Sequence, residues 1–132
     1  MPINQRYLTA CLNSNVIAFW LKLKGKMQGN NYQIDKNPLL ELPLIFPNET
    51  LQNEISGMVS SMIENYQKIT DYTPLLDIAK RENEFDREIK LEKELNKLKE
   101  EIEDFENGIN QSFYDLFNLT VDEIKIIEET IN

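Results

Sequence analysis

The residues best suited to chemistry lie in one polar stretch near the amino terminus, from Lys22 to Lys36. Its lysines can neutralise phosphates as point charges. Its amide side chains suit base edges, adenine above all, and a tyrosine can lie against a sugar or base. The candidate residues are Lys22, Lys24, Lys26, Gln28, Asn30, Asn31, Tyr32, Gln33 and Lys36. Together they predict an exposed loop that contacts a polyanion.

The charge distribution favours the same end of the chain. The 132 residues contain 14 Lys+Arg and 23 Asp+Glu, a formal net charge of −9. Residues 1–36 carry five basic and one acidic group, a net charge of +4, whereas the other 96 residues carry nine basic and 22 acidic groups, a net charge of −13. A basic head on an acidic body indicates a polyanionic partner at one end. A solvated lysine cluster without a partner is the alternative.

Several classes of chemistry are excluded by what the chain lacks. It has no histidine, so catalytic triads, imidazole acid–base catalysis and histidine–metal sites are excluded. The single cysteine, Cys11, gives neither an internal disulfide nor a CxxC metal pair. Carboxylates at Glu100–Asp104 fit a solvated helix face, and Asp122 and Glu123 fit the first turn of a helix. We expect no catalytic residue, metal site or cofactor in this chain.

The apolar run from Tyr7 to Leu21 is interrupted by polar residues and is shorter than the roughly 20 apolar residues of a membrane span. It also lacks the flanks of a secretory signal. We therefore expect a cytoplasmic protein without a membrane partner.

Periodicity predicts helices over most of the chain. Apolar residues recur every three or four positions from Gln5 to Lys24, and Asn13–Asn15 either interrupts that helix or caps a second one from Asn15. The compact, proline-rich segment that follows predicts an edge strand at Leu42–Phe46, and Gln33–Ile34 a second short strand.

Two longer patterns predict an antiparallel helical hairpin. Asn48 caps a helix whose apolar stripe is Leu51, Ile55, Met58, Met62, Tyr66 and Ile69, and Pro74 ends it. A heptad seam follows, formed by Leu91, Leu95, Leu98, Ile102, Phe105 and Ile109. Thr120 and Glu123 form a capping box for a terminal helix. The predicted fold class is α+β and mostly helical, with a head at 1–48 that has short strands, and a short coiled-coil hairpin and terminal helix at 49–132.

Three stretches in fixed order resemble a known family. Leu12–Asn13–Ser14 with the following Val16–Leu21 resembles the "LNS" helix of bacterial restriction–modification specificity domains. Residues 25–33 followed by Leu42–Pro47 resemble their glycine-rich loop and "lPiplP" segment. Phe113–Ile124 resembles their "yeLYgLteeEi" close, with Phe117–Asn118 where the family has Tyr-Gly. The chain is thus similar, over about residues 7–128, to the TaqI-like C-terminal specificity domain of adenine-specific DNA methyltransferases and fused type II restriction–modification enzymes.

The resemblance implies the carboxyl-terminal part of a larger enzyme that begins inside the specificity region. It implies double-stranded DNA as partner and a DNA target recognition role, with catalysis in upstream methyltransferase and, in fused enzymes, nuclease domains of the parent chain. Those domains would use S-adenosylmethionine to methylate a flipped adenine, and magnesium if they cleave DNA. We expect no enzymatic activity from this chain alone.

Two other functions fit the sequence. The first is a specificity subunit of a multisubunit restriction system, whose recognition lobes also end in a "P-I-P" segment and a helical spacer. The second is a coiled-coil interaction module without a nucleic-acid role, in which the lysines of the loop are dispensable and polar substitutions at Leu95 or Leu98 abolish partner binding. The recognition sequence, the groove contacted and the oligomeric state stay open.

Overall fold

The computed structural model describes residues 4–24, 26–28, 31–33 and 43–132. The chain order is α1 (Gln5–Leu12), α2 (Asn15–Lys24), β1 (Lys26–Gln28), β2 (Asn31–Gln33), α3 (Glu49–Arg81), α4 (Phe85–Leu116) and α5 (Val121–Ile131). Two compact units can be distinguished: unit 1 comprises 1–56 and 109–132, and unit 2 comprises 57–108. These units are defined by compactness, whereas the sequence analysis divides the chain by function into a head at 1–48 and a hairpin with a terminal helix at 49–132. That functional division stays a prediction.

The predicted α+β class is wrong, because the fold is all-α. Helices form nearly all of the described chain, and β1 and β2 form only a three-residue antiparallel ribbon. Pro43–Phe46, the described part of the predicted edge strand, forms no strand. Proline has no N–H to give to a ladder, and Pro43 and Pro47 flank this short segment. Its backbone is held by side chains instead.

The break between α1 and α2 is made by Ser14. Its buried hydroxyl donates to the Cys11 carbonyl (2.7 Å) and accepts from the Ile17 N–H (3.3 Å), so one side chain satisfies the end of α1 and the start of α2. Asn4 caps α1 by accepting from the Tyr7 N–H at 3.0 Å. The second helix begins at Asn15, which confirms the capping alternative.

The core of unit 1 is built on side chains that are distant in sequence. Tyr7 from α1, Ile17 from α2, Ile55 from α3 and Phe113 from α4 are all fully buried. Ile127 of α5 is also buried, so the terminal helix contributes to this core. Each fully buried aromatic or branched side chain contributes about 1.5–3 kcal/mol of hydrophobic stabilisation.

Unit 2 is an antiparallel pairing of the α3 and α4 segments. Leu95, Leu98 and Ile102 are buried, as the heptad seam predicts. Asn65 is buried opposite them and donates to the Glu101 carboxylate (3.0 Å) and the Leu98 carbonyl (3.4 Å). A satisfied buried asparagine in a helical seam fixes the register of the pair. The sequence predicted that Tyr66 faces the seam, but Tyr66 is 53% exposed. The neighbouring Asn65 is buried in the seam instead.

The predicted end of the first long helix at Pro74 is wrong, since α3 continues through Pro74 to Arg81. A helix-interior proline costs about 3 kcal/mol through a lost N–H and a steric clash. Here Pro74 is exposed, and the carbonyl that loses its donor is that of Thr70, which is also exposed and so accessible to water. Beyond it, Ala79 is fully buried. Packing of the last two turns therefore outweighs the local preference.

Both long helices end with an asparagine in the left-handed conformation. Asn83 and Asn118 each have φ of 55°. After α3 the Glu84 N–H donates to the Ala79 carbonyl (2.9 Å), and after α4 the Leu119 N–H donates to the Tyr114 carbonyl (3.0 Å). These are Schellman closures, in which asparagine takes the place usually held by glycine.

The terminal helix α5 begins as the sequence predicts. The Thr120 hydroxyl accepts from the Glu123 N–H at 3.2 Å, and the Glu123 carboxylate accepts from the Thr120 N–H at 2.9 Å. The hydrogen bond from the Thr120 N–H to the carboxylate, with a smaller contribution from the Thr120 side chain, lowers the pKa of Glu123. The capping box is therefore confirmed, and Glu123 is accounted for as a cap.

None of the helices among the described residues is both long enough and apolar enough to cross a membrane.

Replacing asparagine by alanine should change the free energy of unfolding in opposite directions at two positions, because Asn118 has a left-handed backbone and Asn107 is helical. Asn118→Ala removes the short polar side chain that makes positive φ accessible to asparagine, and it should lower the free energy of unfolding by about 1 kcal/mol. Asn107→Ala, at an exposed helical position of α4, should raise it by about 0.5 kcal/mol because alanine has the higher helix propensity. Urea unfolding gives the free energy of unfolding of both variants. Equal changes in the two variants would contradict the left-handed conformation of Asn118.

Candidate nucleic-acid interface

Most of the predicted site residues lie in three consecutive elements of unit 1, namely α2, β1 and β2. Lys22 and Lys24 are exposed in the last turn of α2. Lys26 and Gln28 belong to β1, and Asn31, Tyr32 and Gln33 to β2. Asn30 and Lys36 lie outside the described residues. Only Gly25 separates α2 from β1, so the basic end of the helix leads directly into the ribbon.

The ribbon register groups the candidate residues. Lys26 is opposite Gln33, Met27 opposite Tyr32, and Gln28 opposite Asn31. Each of these pairs joins one residue of β1 to one of β2, and five of the six residues in the ribbon are sequence candidates. The polar residues that the sequence singled out alternate with the apolar and aromatic ones.

Lysines at the end of α2 have a structural role as well as a possible ligand role. Positive charge in the last helical turn interacts favourably with the helix dipole, typically by 0.3–1 kcal/mol. Lys22 also forms a tertiary hydrogen bond, because its Nζ donates to the Thr130 carbonyl near the end of α5. Lys22 therefore joins α2 to α5, whereas no hydrogen bond or ion pair of Lys24 is seen among the described residues. Sequence alone could not show this, since the bond joins residues 108 positions apart.

The other end of α2 is held by a polar cluster from α4 and α5. The Asn15 N–H donates to Asn110 Oδ1 at 2.9 Å, and Asn15 Nδ2 donates to the Tyr114 hydroxyl at 3.0 Å. That hydroxyl donates to the Glu128 carboxylate at 3.2 Å. Burial raises the pKa of Tyr114, which keeps its hydroxyl protonated and able to donate. None of these four residues was among the sequence candidates.

Tyr7 fixes the proline-flanked segment against the helices of unit 1. Its hydroxyl donates to the Ile45 carbonyl. Its ring lies 5.7 Å from that of Phe113 and 6.2 Å from that of Phe46, in tilted arrangements that aromatic pairs favour. Burial, with a smaller contribution from Cys11, raises the pKa of Tyr7 to about 12. The segment is thereby anchored just before Asn48, whose side chain accepts from the Leu51 N–H at 2.9 Å and starts α3, as predicted.

The described residues contain neither a reactive thiol nor a metal cluster. Cys11 is buried on α1, and burial raises the pKa of its thiol, against a smaller opposing effect of a backbone hydrogen bond from Ile45. Within the described residues no three His, Cys, Asp or Glu side chains form a group that could hold a metal ion. The candidate residues of this region offer ammonium and amide groups, which can bind a ligand through ion pairs and hydrogen bonds.

Comparison with known proteins finds sequence similarity to two type II methyltransferases. It is 28% identical over 74 residues to type II methyltransferase M.HincII of Haemophilus influenzae, a match that covers 54% of this chain and 15% of that protein. It is equally similar to type II methyltransferase M.HindII of Haemophilus influenzae strain Rd, with 54% and 14% covered. The matched stretch is thus a small part of the curated relatives' length. No protein-family profile matches the chain, and no solved structure matches it significantly.

The Tyr7 anchor predicts a loss of stability at alkaline pH. An unfolded tyrosine titrates near pH 10, whereas folded Tyr7 titrates near 12, so the unfolded state releases its proton first. The free energy of unfolding should therefore be unaffected by Tyr7 below about pH 10 and fall as the pH rises towards 12.

Tyr7→Phe provides the matched test. At pH 7 it leaves the Ile45 carbonyl without its donor and should cost about 1–2 kcal/mol. Between pH 10 and 12 it should lose stability less steeply than the wild type, as measured by urea unfolding. Tyr66→Phe, at an exposed tyrosine, should change neither quantity. Equal alkaline slopes for wild type and Tyr7→Phe would contradict the assignment.

Proposed function

We propose that this chain is the DNA-binding, target-recognition part of a restriction–modification methyltransferase, similar to the TaqI-like C-terminal specificity domain. The observation that carries the proposal is the direct passage of the basic end of α2 into a polar two-stranded ribbon. A ribbon of this width fits the major groove of B-DNA, and lysines beside it can meet the phosphates on either side. The similarity to two type II methyltransferases supports a restriction–modification role.

The resemblance to the specificity domains gains support from two positions. Asn118 stands where the family has glycine, and its φ of 55° is the conformation for which glycine is preferred and asparagine is the best substitute. Ser14, the last residue of the "LNS" stretch, forms the junction between α1 and α2. Both positions thus have a backbone reason for the residue type found there.

The proposed roles divide along the chain. Lys24 and Lys26 are the phosphate contacts, and Gln28, Asn31 and Gln33 are the candidate base readers. Unit 2 carries 14 acidic and eight basic residues, so it would be repelled by DNA and serve as a spacer or docking arm for the remaining enzyme. Methyl transfer, S-adenosylmethionine and any magnesium belong to the upstream domains of the parent, and the setting is cytoplasmic.

A coiled-coil interaction module is the competing function, and the hairpin weakens its main argument. The seam residues Leu95 and Leu98 are 5% and 3% exposed and face α3 of the same chain. A polar substitution there would therefore unfold the hairpin rather than remove a contact with another protein. The specificity subunit of a multisubunit restriction system is the other alternative. The basic end of α2 and the ribbon fit that function as well as they fit the target-recognition part of a methyltransferase.

Fluorescence anisotropy of a labelled mixed-sequence duplex across a salt series tests the DNA-binding proposal. The wild-type chain should bind, with a log–log slope of about −0.9 per phosphate contacted. Lys24→Glu with Lys26→Glu should weaken binding at least about tenfold and reduce the slope by about two contacts. Lys22 is left unchanged because it also holds α5.

Lys97→Glu with Lys99→Glu is the control, since it makes the same change of charge at exposed positions of α4. It should leave the affinity within about twofold of the wild type, because these lysines are on the proposed spacer. Absence of wild-type binding at about 50 mM salt, with the protein folded, would refute the proposal, as would equal losses in the two double variants.

A further inference from the structure

We propose that Asn110 is a positioning residue for DNA recognition: its side chain, on α4, caps the start of α2 and so fixes the direction in which α2 presents Lys24 and the ribbon. The inference rests on the proposed function. It concerns a residue bound to the end of α2 that is opposite the basic turn, and one that sequence reasoning did not single out.

The cap is formed across the fold rather than within the helix. The first backbone N–H groups of a helix have no partner inside it. In α2 the Ile17 N–H is satisfied locally by Ser14, whereas the Asn15 N–H is satisfied by Asn110 Oδ1 at 2.9 Å, from a residue 95 positions away. An ordinary cap would stabilise α2 alone, but this one also joins α2 to α4.

A second bond makes the attachment directional. Tyr114 is one turn beyond Asn110 on α4, and its hydroxyl accepts from Asn15 Nδ2 at 3.0 Å. Asn15 is thus held through both its backbone and its side chain by two neighbouring residues of one helix. Tyr114 is 3% exposed, so its position is itself fixed by packing. Two bonds from one residue to a rigid support restrict rotation as well as distance.

The length of α2 turns a small change at its start into a large one at its end. Ten residues extend over about 15 Å, so a tilt of about 10° at Asn15 moves the Lys24 end by roughly 3 Å. A displacement of this size also moves the ribbon that begins at Lys26, and the flexibility of a single lysine side chain does not restore the position of the two strands. The bond from Lys22 to the Thr130 carbonyl is made by a long, flexible side chain and is a weaker restraint on direction.

The test is duplex anisotropy across a salt series with the full chain, using Asn110→Leu and Asn110→Asp. Asn110→Leu removes the acceptor, and it should weaken binding about fivefold to tenfold and reduce the slope by about one phosphate contact. Asn110→Asp keeps the acceptor at the positive end of α2, so it should retain the wild-type slope and an affinity within about twofold. Asn107→Asp, one turn earlier and exposed, controls for the added negative charge.

The salt slope of duplex binding distinguishes a role of Asn110 in positioning α2 from a role in stabilising the fold alone. A partly unfolded population lowers the active concentration, which urea unfolding quantifies, but it does not change the number of phosphates that a bound molecule contacts. Tyr114→Phe provides a second variant that keeps the ring and removes the bond from Asn15. It should reduce the affinity and slope in the same direction even if Asn110→Leu does not fold.

The outcomes distinguish this inference from the proposed function. Wild-type binding with an unchanged slope in folded Asn110→Leu, or in Tyr114→Phe where Asn110→Leu does not fold, would overturn the positioning role and leave the DNA-binding proposal intact. Loss of slope in Asn110→Asp as large as in Asn110→Leu would also overturn it, because the acceptor is retained. Absence of wild-type binding would overturn both.

Discussion

The arrangement of unit 1 depends on Tyr7 more than on any other side chain. It is fully buried, its ring packs against Phe113 of α4 and Phe46, and its hydroxyl donates to the Ile45 carbonyl. The segment around Ile45 is flanked by prolines and has no strand partner among the described residues, so its backbone needs a donor from elsewhere. Tyr7 supplies that donor and at the same time joins α1 to α4. Three parts of the chain that are far apart in sequence therefore meet at one ring.

From this core the structure extends towards the basic end through α2. The start of α2 is held by Ser14, Asn110 and Tyr114, whereas its last turn is exposed and continues into the ribbon. A rigid base with an exposed tip is a suitable design for a binding element, because the core sets the direction and the tip is free to carry polar and charged residues. Along the sequence the excess of basic residues is limited to residues 1–36, and 22 of the 23 acidic residues follow them.

Sequence reasoning predicted what depends on local periodicity and missed what depends on distant partners. The heptad seam at Leu95, Leu98 and Ile102, the Asn48 cap and the Thr120 capping box follow from spacing, and the structure confirms them. The α+β class failed because short apolar runs between prolines resemble edge strands, and the stop at Pro74 failed because packing beyond it outweighs the local cost. The bonds from Asn110 to Asn15 and from Lys22 to Thr130 have no local signal at all. Both bonds nevertheless join α2 to other helices of unit 1.

The most direct test of DNA binding at this end is amide hydrogen exchange of the full chain with and without a mixed-sequence duplex. It reads out location rather than affinity, and it does not require the target sequence to be known. The account predicts added protection from α2 through the ribbon, residues 15–33, and unchanged exchange over residues 85–104 of α4. Protection confined to unit 2, or none at a DNA concentration where anisotropy shows binding, would contradict it.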